Sequence, residues 1–260
     1  MNLIKRLLLL TAILIFTQFS IAEALDVYVM NSGNSTNNTL ISDLLTGAGY
    51  SVTIGQPWYE FNSSLSGYEA VVLLNNYNWN YGGDMPASGQ NAILNFVSNG
   101  GGLVTGEWFI WSLGTGIFSS LEVLSPVVAT TAFSYPSPIT YTQVIPDPIL
   151  NDGVASPFTF TGDSISGIET YFTAKSDATV YYSSSPYSPG GLIGWDYGDG
   201  RVISFSTVIG NTDLGDVNYG NLFVNSVEWA SGTPIPEPAT MLLLGSGLLG
   251  VAGLRRKFKK

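Results

Sequence analysis

Two short segments of the sequence, residues 75–81 and 106–111, set aromatic rings beside amide or carboxylate groups. Asparagine amides both donate and accept hydrogen bonds, and aromatic faces are apolar plates. A sugar presents hydroxyl groups at its edges and C–H groups on its faces, so this mixture predicts a site for a polysaccharide. The predicted contact residues are Tyr77, Asn78, Trp79, Tyr81, Glu107 and Trp108.

The aromatic residues of both segments have a second interpretation, which is burial in the core. Aromatic side chains bury large areas. Burial is the favoured interpretation for residues 106–111, whereas the two interpretations are balanced for residues 75–81. In that first segment the rings alternate with asparagines. If the segment is extended, the alternation places the three rings on one face.

Glu107 is the one carboxylate that the pattern places at a candidate site. A carboxyl group can act as an acid, a base or a cation ligand, so an enzyme that acts on glycosides is the first alternative function. Glycosidases need a second carboxylate at a set distance, and the sequence pattern places none. A hydrogen-bonded, structural role at a turn is therefore favoured for Glu107 over catalysis.

Asp213, Asp216 and Asn218 bring three oxygen-bearing side chains close together in the sequence. Hard cations such as calcium bind such oxygens, but the spacing does not match an EF-hand loop, and capping of the last helix is favoured. The chain contains no histidine and no cysteine. This excludes a cysteine nucleophile, a Ser-His-Asp triad and an imidazole or thiolate zinc site, so we expect no cofactor and no transition metal.

Strand-like and helical patterns alternate through the first half of the body. Residues 191–205 predict a hairpin with an Asp-Gly turn, and a closing helix follows over residues 219–230. Between the two parts, residues 126–189 give only short strand-like runs, at 139–145 and 179–182. This order predicts an α/β fold: a flavodoxin-like, doubly wound, mostly parallel sheet with helices on both faces and a β-hairpin near the C-terminal end.

The body resembles the class I glutamine amidotransferase-like superfamily, nearest to its ThuA-like branch. The strand over residues 68–74, the helix-glycine-strand step over 93–104 and residues 197–202 carry the resemblance. It implies a site at the carboxyl ends of the strands. Amidotransferases have a cysteine on the turn where this chain has Glu107, and ThuA-like proteins usually have a histidine where it has residues 208–210. The family's chemistry is therefore not carried over.

The charge of the body differs from that of its two ends. Residues 25–232 keep only Lys175 and Arg201 as basic residues, against nearly all of the acidic ones. Binding to nucleic acid needs Lys and Arg to neutralise phosphates, so this class of partner is excluded. An acidic surface suits solubility and neutral glycans.

Residues 1–24 have the three parts of a secretory signal peptide. Lys5 and Arg6 precede a short apolar run over residues 7–16, and the Ala22-Glu23-Ala24 pattern follows. Small residues in this pattern are typical of a signal-peptidase site. We therefore predict cleavage after Ala24, which leaves residues 25–232 as the amidotransferase-like domain.

Residues 233–260 combine a Pro-Glu-Pro triplet, a short apolar stretch over 241–254 and a terminal basic cluster. The apolar stretch is shorter than the ~20 residues that span a bilayer comfortably. The positive-inside rule keeps the basic cluster in the cytoplasm and the body outside. The predicted sorting residues are Pro236, Glu237, Pro238, Arg255 and Arg256.

This C-terminal arrangement resembles the PEP-CTERM sorting signal. The resemblance implies a Gram-negative host that makes an exopolysaccharide matrix, an exosortase-type enzyme as partner, and a short transmembrane helix that holds an inner-membrane intermediate. It also implies processing near Glu237 and a final place at the cell surface or in the extracellular matrix.

The sequence thus favours an exported, non-catalytic domain that binds polysaccharide, with exopolysaccharide as the expected partner. The first alternative is the carboxylate-based, glycoside hydrolase-like enzyme centred on Glu107. The second is a structural protein of the biofilm matrix that has no defined small ligand.

We predict that replacing Pro236, Glu237 and Pro238 by alanine leaves secretion across the inner membrane intact but retains the protein at that membrane. The signal peptide acts first, and the C-terminal signal is read later. Fractionation of cells and medium measures the outcome. If the variant reached the medium at the wild-type level, the sorting role of the triplet would be wrong.

Overall fold

The computed structural model describes residues 24–232, which fold around one large sheet. The helices are α1 (Ser35–Gly47), α2 (Ala87–Ser98), α3 (Glu107–Gly114), α4 (Asn211–Leu214) and α5 (Val217–Ser231), and a 3-10 helix spans Ser119–Leu124. The strands of the large sheet are β1 (Asp26–Val29), β2 (Ser51–Ile54), β3 (Ala70–Leu73), β4 (Gly102–Thr105), β6 (Ile139–Gln143), β7 (Phe158–Phe160), β9 (Thr179–Ser185), β10 (Leu192–Tyr197) and β11 (Gly200–Phe205). A small second sheet consists of β5 (Phe133–Ser134) and β8 (Glu169–Thr170).

The large sheet has a parallel part and an antiparallel part. Its strand order is β2-β1-β3-β4-β11-β10-β9-β6-β7. The first five strands in this order run parallel, and the pairs from β11 to β7 are antiparallel. The predicted α/β fold with a mostly parallel core is therefore confirmed. The predicted hairpin is the pair β10–β11.

Helices cover both faces of the parallel strands because the central strands are apolar on both sides. Every residue of β3 and β4 is buried, which is typical of parallel strands between two helical layers. Val72 and Val104 belong to a cluster with residues of α1 and α5. Val71 and Leu103 belong to a second cluster with residues of α2 and α3. Strand β4 is therefore packed between the two hydrophobic clusters, which makes the turn that follows it rigid.

Gly102, at the start of β4, allows α5 to lie directly on the sheet. A Cβ at this position would stand 2.5 Å from the carbonyl carbon of Ala230. No side chain fits in that space, so the glycine sets how closely helix and strand approach.

The two predicted sorting ends lie outside the described residues. This applies to the signal peptide up to residue 23, to the apolar stretch 241–254 and to the sorting residues, Pro236, Glu237, Pro238, Arg255 and Arg256. Among the helices within residues 24–232, none combines the length and the apolar character needed to cross a membrane.

Candidate functional site

The carboxyl ends of β3, β4 and β11 meet at one edge of the sheet. Ligands of open α/β sheets bind at this edge. The Thr105 and Ser204 hydroxyls bond at 2.7 Å across β4 and β11, and the backbone N–H of Glu107 donates to the carbonyl of Thr207 at 3.1 Å. Residues 75–81 leave β3 at the same edge. The structure therefore brings both predicted aromatic segments to the same side of the domain.

A row of aromatic rings, which we call the aromatic ledge, runs along this edge. Its members are Trp79, Trp108, Trp111, Phe133 and Tyr135. Trp79 is stacked on Trp108, with ring centroids 5.0 Å apart and planes 10° apart. Trp111 stands edge-on to both indoles. Phe133 lies 6.0 Å from Trp108 and 5.8 Å from Tyr135, centroid to centroid.

The ledge has a buried base and a more exposed outer part. Trp108 is 2% exposed, whereas Phe133 is 37% and Tyr135 56% exposed. Trp79 and Trp111 are half-buried. The Tyr135 hydroxyl donates to the carbonyl of Ser166 at 2.7 Å, which fixes that ring. The outer rings are thus held in place by a ring that belongs to the core.

Three buried asparagines hold the turn from which Trp79 projects. These residues are Asn75, Asn76 and Asn78. Their amide nitrogens donate, in that order, to Ser112 Oγ at 3.0 Å, Ile209 O at 2.8 Å and Asn31 O at 2.9 Å. Asn78 also accepts from the indole N–H of Trp58 at 3.1 Å. Asn78 is therefore occupied by the protein itself, although the sequence suggested it as a ligand contact.

The expectation that Tyr77, Trp79 and Tyr81 share one face is wrong. Residues 77–80 form turns instead of an extended segment, because the asparagine bonds bend the chain back onto its neighbours. The Tyr77 hydroxyl donates to Asp163 Oδ2 at 2.9 Å. Tyr81 stacks on Tyr59, with centroids 4.8 Å and planes 5° apart. Only Trp79 of the three joins the ledge.

Phe133 and Tyr135 are ledge residues that the sequence analysis missed. They lie in a region whose Pro-, Ser- and Thr-rich composition gave no strand prediction. Their i, i+2 spacing around Ser134 is the pattern of a strand that presents two rings on one face. This spacing is the signal that could have found them.

Glu107 begins α3 at the turn after β4, and its side chain has no solvent contact. Its Oε1 lies 3.4 Å from the Thr170 hydroxyl, and its Oε2 has no hydrogen-bond partner within residues 24–232. Burial raises the pKa of Glu107 well above its usual range, and the negative charges of Asp213 and Glu169 raise it further. Both effects favour the neutral, protonated form of this carboxyl group.

The loop over residues 162–170 closes the space above Glu107. A Cβ on Gly167 would stand 2.8 Å from Glu107 Oε1, so the loop backbone lies directly on the carboxyl group. Asp163 fastens the loop, because its Oδ2 accepts from the Tyr77 hydroxyl and, at 3.2 Å, from the backbone N–H of Thr212. Tyr77 therefore serves to hold this cover in place.

Beneath the loop, a chain of buried hydroxyl groups links Glu169 to the start of α5. Its successive members are Glu169, Ser206, Tyr141, Thr207 and Tyr219. The donor–acceptor distances along the chain are 2.7, 3.1, 3.1 and 3.0 Å, and the Tyr219 hydroxyl lies 3.1 Å from the carbonyl of Val208. Burial raises the pKa of Glu169 as well. This chain fills the interior next to Glu107 with hydrogen-bonded hydroxyl groups.

The carboxyl groups at this edge are sealed from solvent, and the aromatic rings are open to it. Glu107, Glu169 and Asp213 are all fully buried. A glycosidase needs two carboxyl groups that flank a bound sugar, and a sugar cannot reach any of these three in the observed arrangement. What the edge offers to a ligand is apolar ring surface and the polar backbone around it.

Asp213, Asp216 and Asn218 each bind a different part of the backbone. Asp213 Oδ2 accepts from the N–H of Asp163 at 2.9 Å, and Asn218 Oδ1 accepts from Ala155 N at 2.9 Å. Asp216 caps α5, since its Oδ1 accepts from the N–H groups of Asn218 and Tyr219. Within residues 24–232, no group of three or more acidic side chains is placed to hold a metal ion.

Glu107→Gln should reduce the pH dependence of stability. The folded pKa lies above the ordinary value of 4.5, so the folded state holds the proton more tightly than the unfolded state. The free energy of unfolding should then fall as the pH rises above about 4.5, by at most ~1.4 kcal/mol per pH unit for one linked proton. Glutamine mimics the neutral acid, so the variant should lose this part of the slope between pH 5 and 8.

Urea unfolding at several pH values measures that slope. Glu60→Gln, at an exposed position, is the matched control and should keep the wild-type slope. Asp213, whose pKa is also raised by burial, leaves a residual slope of the same sign in every variant. Identical slopes for wild type and Glu107→Gln would refute the neutral carboxyl.

Asp216→Ala should lower the free energy of unfolding by about 1 kcal/mol, the typical value of a lost helix N-cap. Asp216→Asn should stay close to wild type because asparagine caps helices equally well. Thermal melts with calcium and with a chelator complete the test. A calcium-dependent melting temperature that both variants abolish would mean that Asp216 binds a cation instead.

The C-terminal resemblance is confirmed by a family model. Residues 234–257 match the PEP-CTERM protein-sorting motif. This motif marks the chain for export, for a membrane-anchored intermediate in a Gram-negative bacterium and for recognition by an exosortase. None of the curated proteins matches the sequence significantly.

Solved structures share the fold of the body at low sequence identity. A putative ThuA-like protein from Parabacteroides merdae superposes with a TM-score of 0.62 at 12% identity, over 83% of this chain and 92% of its own. The cytoplasmic protein STM3548 from Salmonella typhimurium superposes with a TM-score of 0.58 at 17% identity, over 79% of this chain and 98% of its own. A β-galactosidase from Rahnella sp. R3 superposes with a TM-score of 0.57 at 14% identity, over 83% of this chain but only 33% of the enzyme. The chain therefore carries a PEP-CTERM sorting motif behind a body with the ThuA-like fold.

Proposed function

We propose that the exported domain binds neutral polysaccharide on the aromatic ledge and that it does so without catalysis. The observation that carries the proposal is the row of rings at the ligand-binding edge, in which Trp79 is stacked on the buried Trp108. Sugar rings present apolar C–H faces that pack against aromatic faces. A row of several rings suits an extended, repeating ligand better than a single small molecule.

The ledge is organised before any ligand arrives. Trp79 is held by Trp108 and Trp111, and Tyr135 is held by its hydrogen bond to Ser166. Ordering a side chain on binding costs about 0.5–1.5 kcal/mol. Rings that are already fixed avoid this cost, which favours binding over a purely structural role for the exposed residues.

The charged residues of the body favour a neutral glycan over an acidic one as the ligand. The two basic residues of the body are engaged elsewhere: Lys175 donates to the carbonyl of Glu122 and lies over Trp195, and Arg201 pairs with Asp196. No cation is therefore left to bind the carboxylates of an acidic polysaccharide, and the many acidic residues of the body repel them.

The sealed carboxyl groups favour binding over the enzyme alternative. Glu107 is covered by Gly167 and out of contact with solvent. A general acid or nucleophile must contact the reacting atoms. For this reason the proposal contains no hydrolytic step.

Trp79→Ala should weaken binding to a neutral polysaccharide at least about tenfold, which corresponds to ~1.4 kcal/mol. The variant should also lose about 1 kcal/mol of stability, since a stacked aromatic pair contributes ~0.5–1.5 kcal/mol beyond its buried area. Calorimetric titration with hexasaccharides of β-1,4-linked glucose, mannose and galactose measures the affinity. A thermal melt measures the stability.

Tyr81→Ala is the matched control, because Tyr81 is 57% exposed and stacks on Tyr59 away from the ledge. It should leave binding unchanged, whereas Tyr135→Ala should weaken it. Release of reducing sugar from the same hexasaccharides should stay at the background level. Wild-type protein that binds none of the glycans, or a Trp79→Ala variant that binds all of them as before, would refute the proposal.

A further inference from the structure

An open cleft of about 640 Å³ lies at the amino ends of β3 and β4, on the edge opposite the aromatic ledge. We call it the rear cleft, and it is lined by Ser64, Tyr68, Glu69, Phe96, Asn99 and Ser231, among others. Glu69 directly precedes β3, and Asn75 follows it. At roughly 3.3 Å per residue, the two ends of the strand are about 20 Å apart.

Two aromatic rings form fixed walls of the rear cleft. Phe96 lies against Gly101, where a Cβ would stand 2.3 Å from the ring. Tyr68 is held edge-on by Tyr28, with ring centroids 5.4 Å apart. Both wall rings are half-buried, so part of each ring faces the cleft.

Polar groups at the rear cleft are also held in place by the protein. Glu69 Oε2 accepts from the backbone N–H of Asp26 at 2.6 Å. The Asn99 amide nitrogen donates to the carbonyl of Asn95 at 2.7 Å, and the Ser231 hydroxyl donates to that of Glu228 at 2.8 Å. These bonds hold a carboxylate, an amide and a hydroxyl beside a space whose lining contains no Lys or Arg.

We propose that the rear cleft is a second binding site for a neutral sugar and that the domain thereby bridges two polysaccharide chains. The proposal rests on the function proposed for the aromatic ledge. The cleft volume lies within the ~300–1,000 Å³ of small-ligand sites. Its lining repeats the chemistry of the ledge edge: rings for sugar faces, and amide, hydroxyl and carboxylate groups for sugar hydroxyls.

Two sites at opposite ends of the same strands allow one domain to bind two polysaccharide chains at the same time. A chain bound on the ledge runs along one edge of the sheet, and the rear cleft opens at the other edge, so a second chain can bind without contacting the first. Once one site is occupied, the other is presented at high local concentration to neighbouring chains. The domain then acts as a cross-link.

Asn99→Trp should block the rear cleft, since Asn99 is exposed and lies at the C-terminal end of α2. Asn91→Trp makes the same change at an exposed position of the same helix outside the cleft lining and is the matched control. With protein purified after export, calorimetry on the tightest-binding hexasaccharide should give two sites per chain for wild type and for Asn91→Trp. Asn99→Trp and Trp79→Ala should each give one.

Light scattering of the corresponding long polysaccharide tests bridging. Wild-type protein should increase the particle size, and both single-site variants should bind without increasing it. If Asn99→Trp does not fold, hydrogen exchange of the wild-type protein takes the place of this variant. Saturation with the hexasaccharide should slow the exchange of the backbone amides of residues 99–102.

The outcomes separate the two proposals. A wild type that binds no glycan overturns both. One site per chain in the wild type, complete loss of binding in Trp79→Ala, undiminished bridging by Asn99→Trp, or unchanged exchange at residues 99–102 overturns the second site. Each of these four results leaves ledge binding in place.

Discussion

A carboxyl group without solvent contact is the constraint on which the ligand edge of this domain depends. An ionised carboxylate is costly to bury without partners, so the cover that the loop over residues 162–170 places on Glu107 favours its neutral form. The same loop leads into β8, and β8 pairs with β5 through Phe133 and Thr170. The position of Phe133 and Tyr135 on the ledge therefore depends on the closure over Glu107.

The burial of Glu107 also affects the groups around it. The turn after β4 keeps its geometry, with the N–H of Glu107 bonded to Thr207. Glu107 begins the helix at this turn, and a chain of hydroxyl groups fills the adjacent interior. Buried polar groups that all find partners make a core rigid and specific. Rigidity at this place favours a fixed binding surface, because a reacting group would need contact with substrate.

The sequence predicted the parallel half of the fold and much less of the site. Continuous apolar strands such as β3 are recognised locally, since burial on both faces leaves no polar residue in them. Strands β5, β7 and β8 have two or three residues each, too few for a period to be seen. The wrong placement of Tyr77 and Tyr81 has a similar cause. Asn76 and Asn78 bond to Ile209 and Asn31, which are distant in sequence, so alternation alone could not show that the segment turns.

The arrangement of charge and rings suits a protein that works outside the cell in a hydrated matrix. Without disulfides, the stability of the body comes from its two apolar clusters. The excess of acidic residues favours mutual repulsion between copies of the body. Under the proposed function, association with a matrix therefore comes from ligand contacts. Contacts between neutral sugars and aromatic rings are hardly weakened by salt, unlike ion pairs, which are screened within about 10 Å at 0.1 M. Binding on Trp79, Trp108 and Tyr135, as proposed, is therefore expected to depend little on the ionic strength of the surroundings.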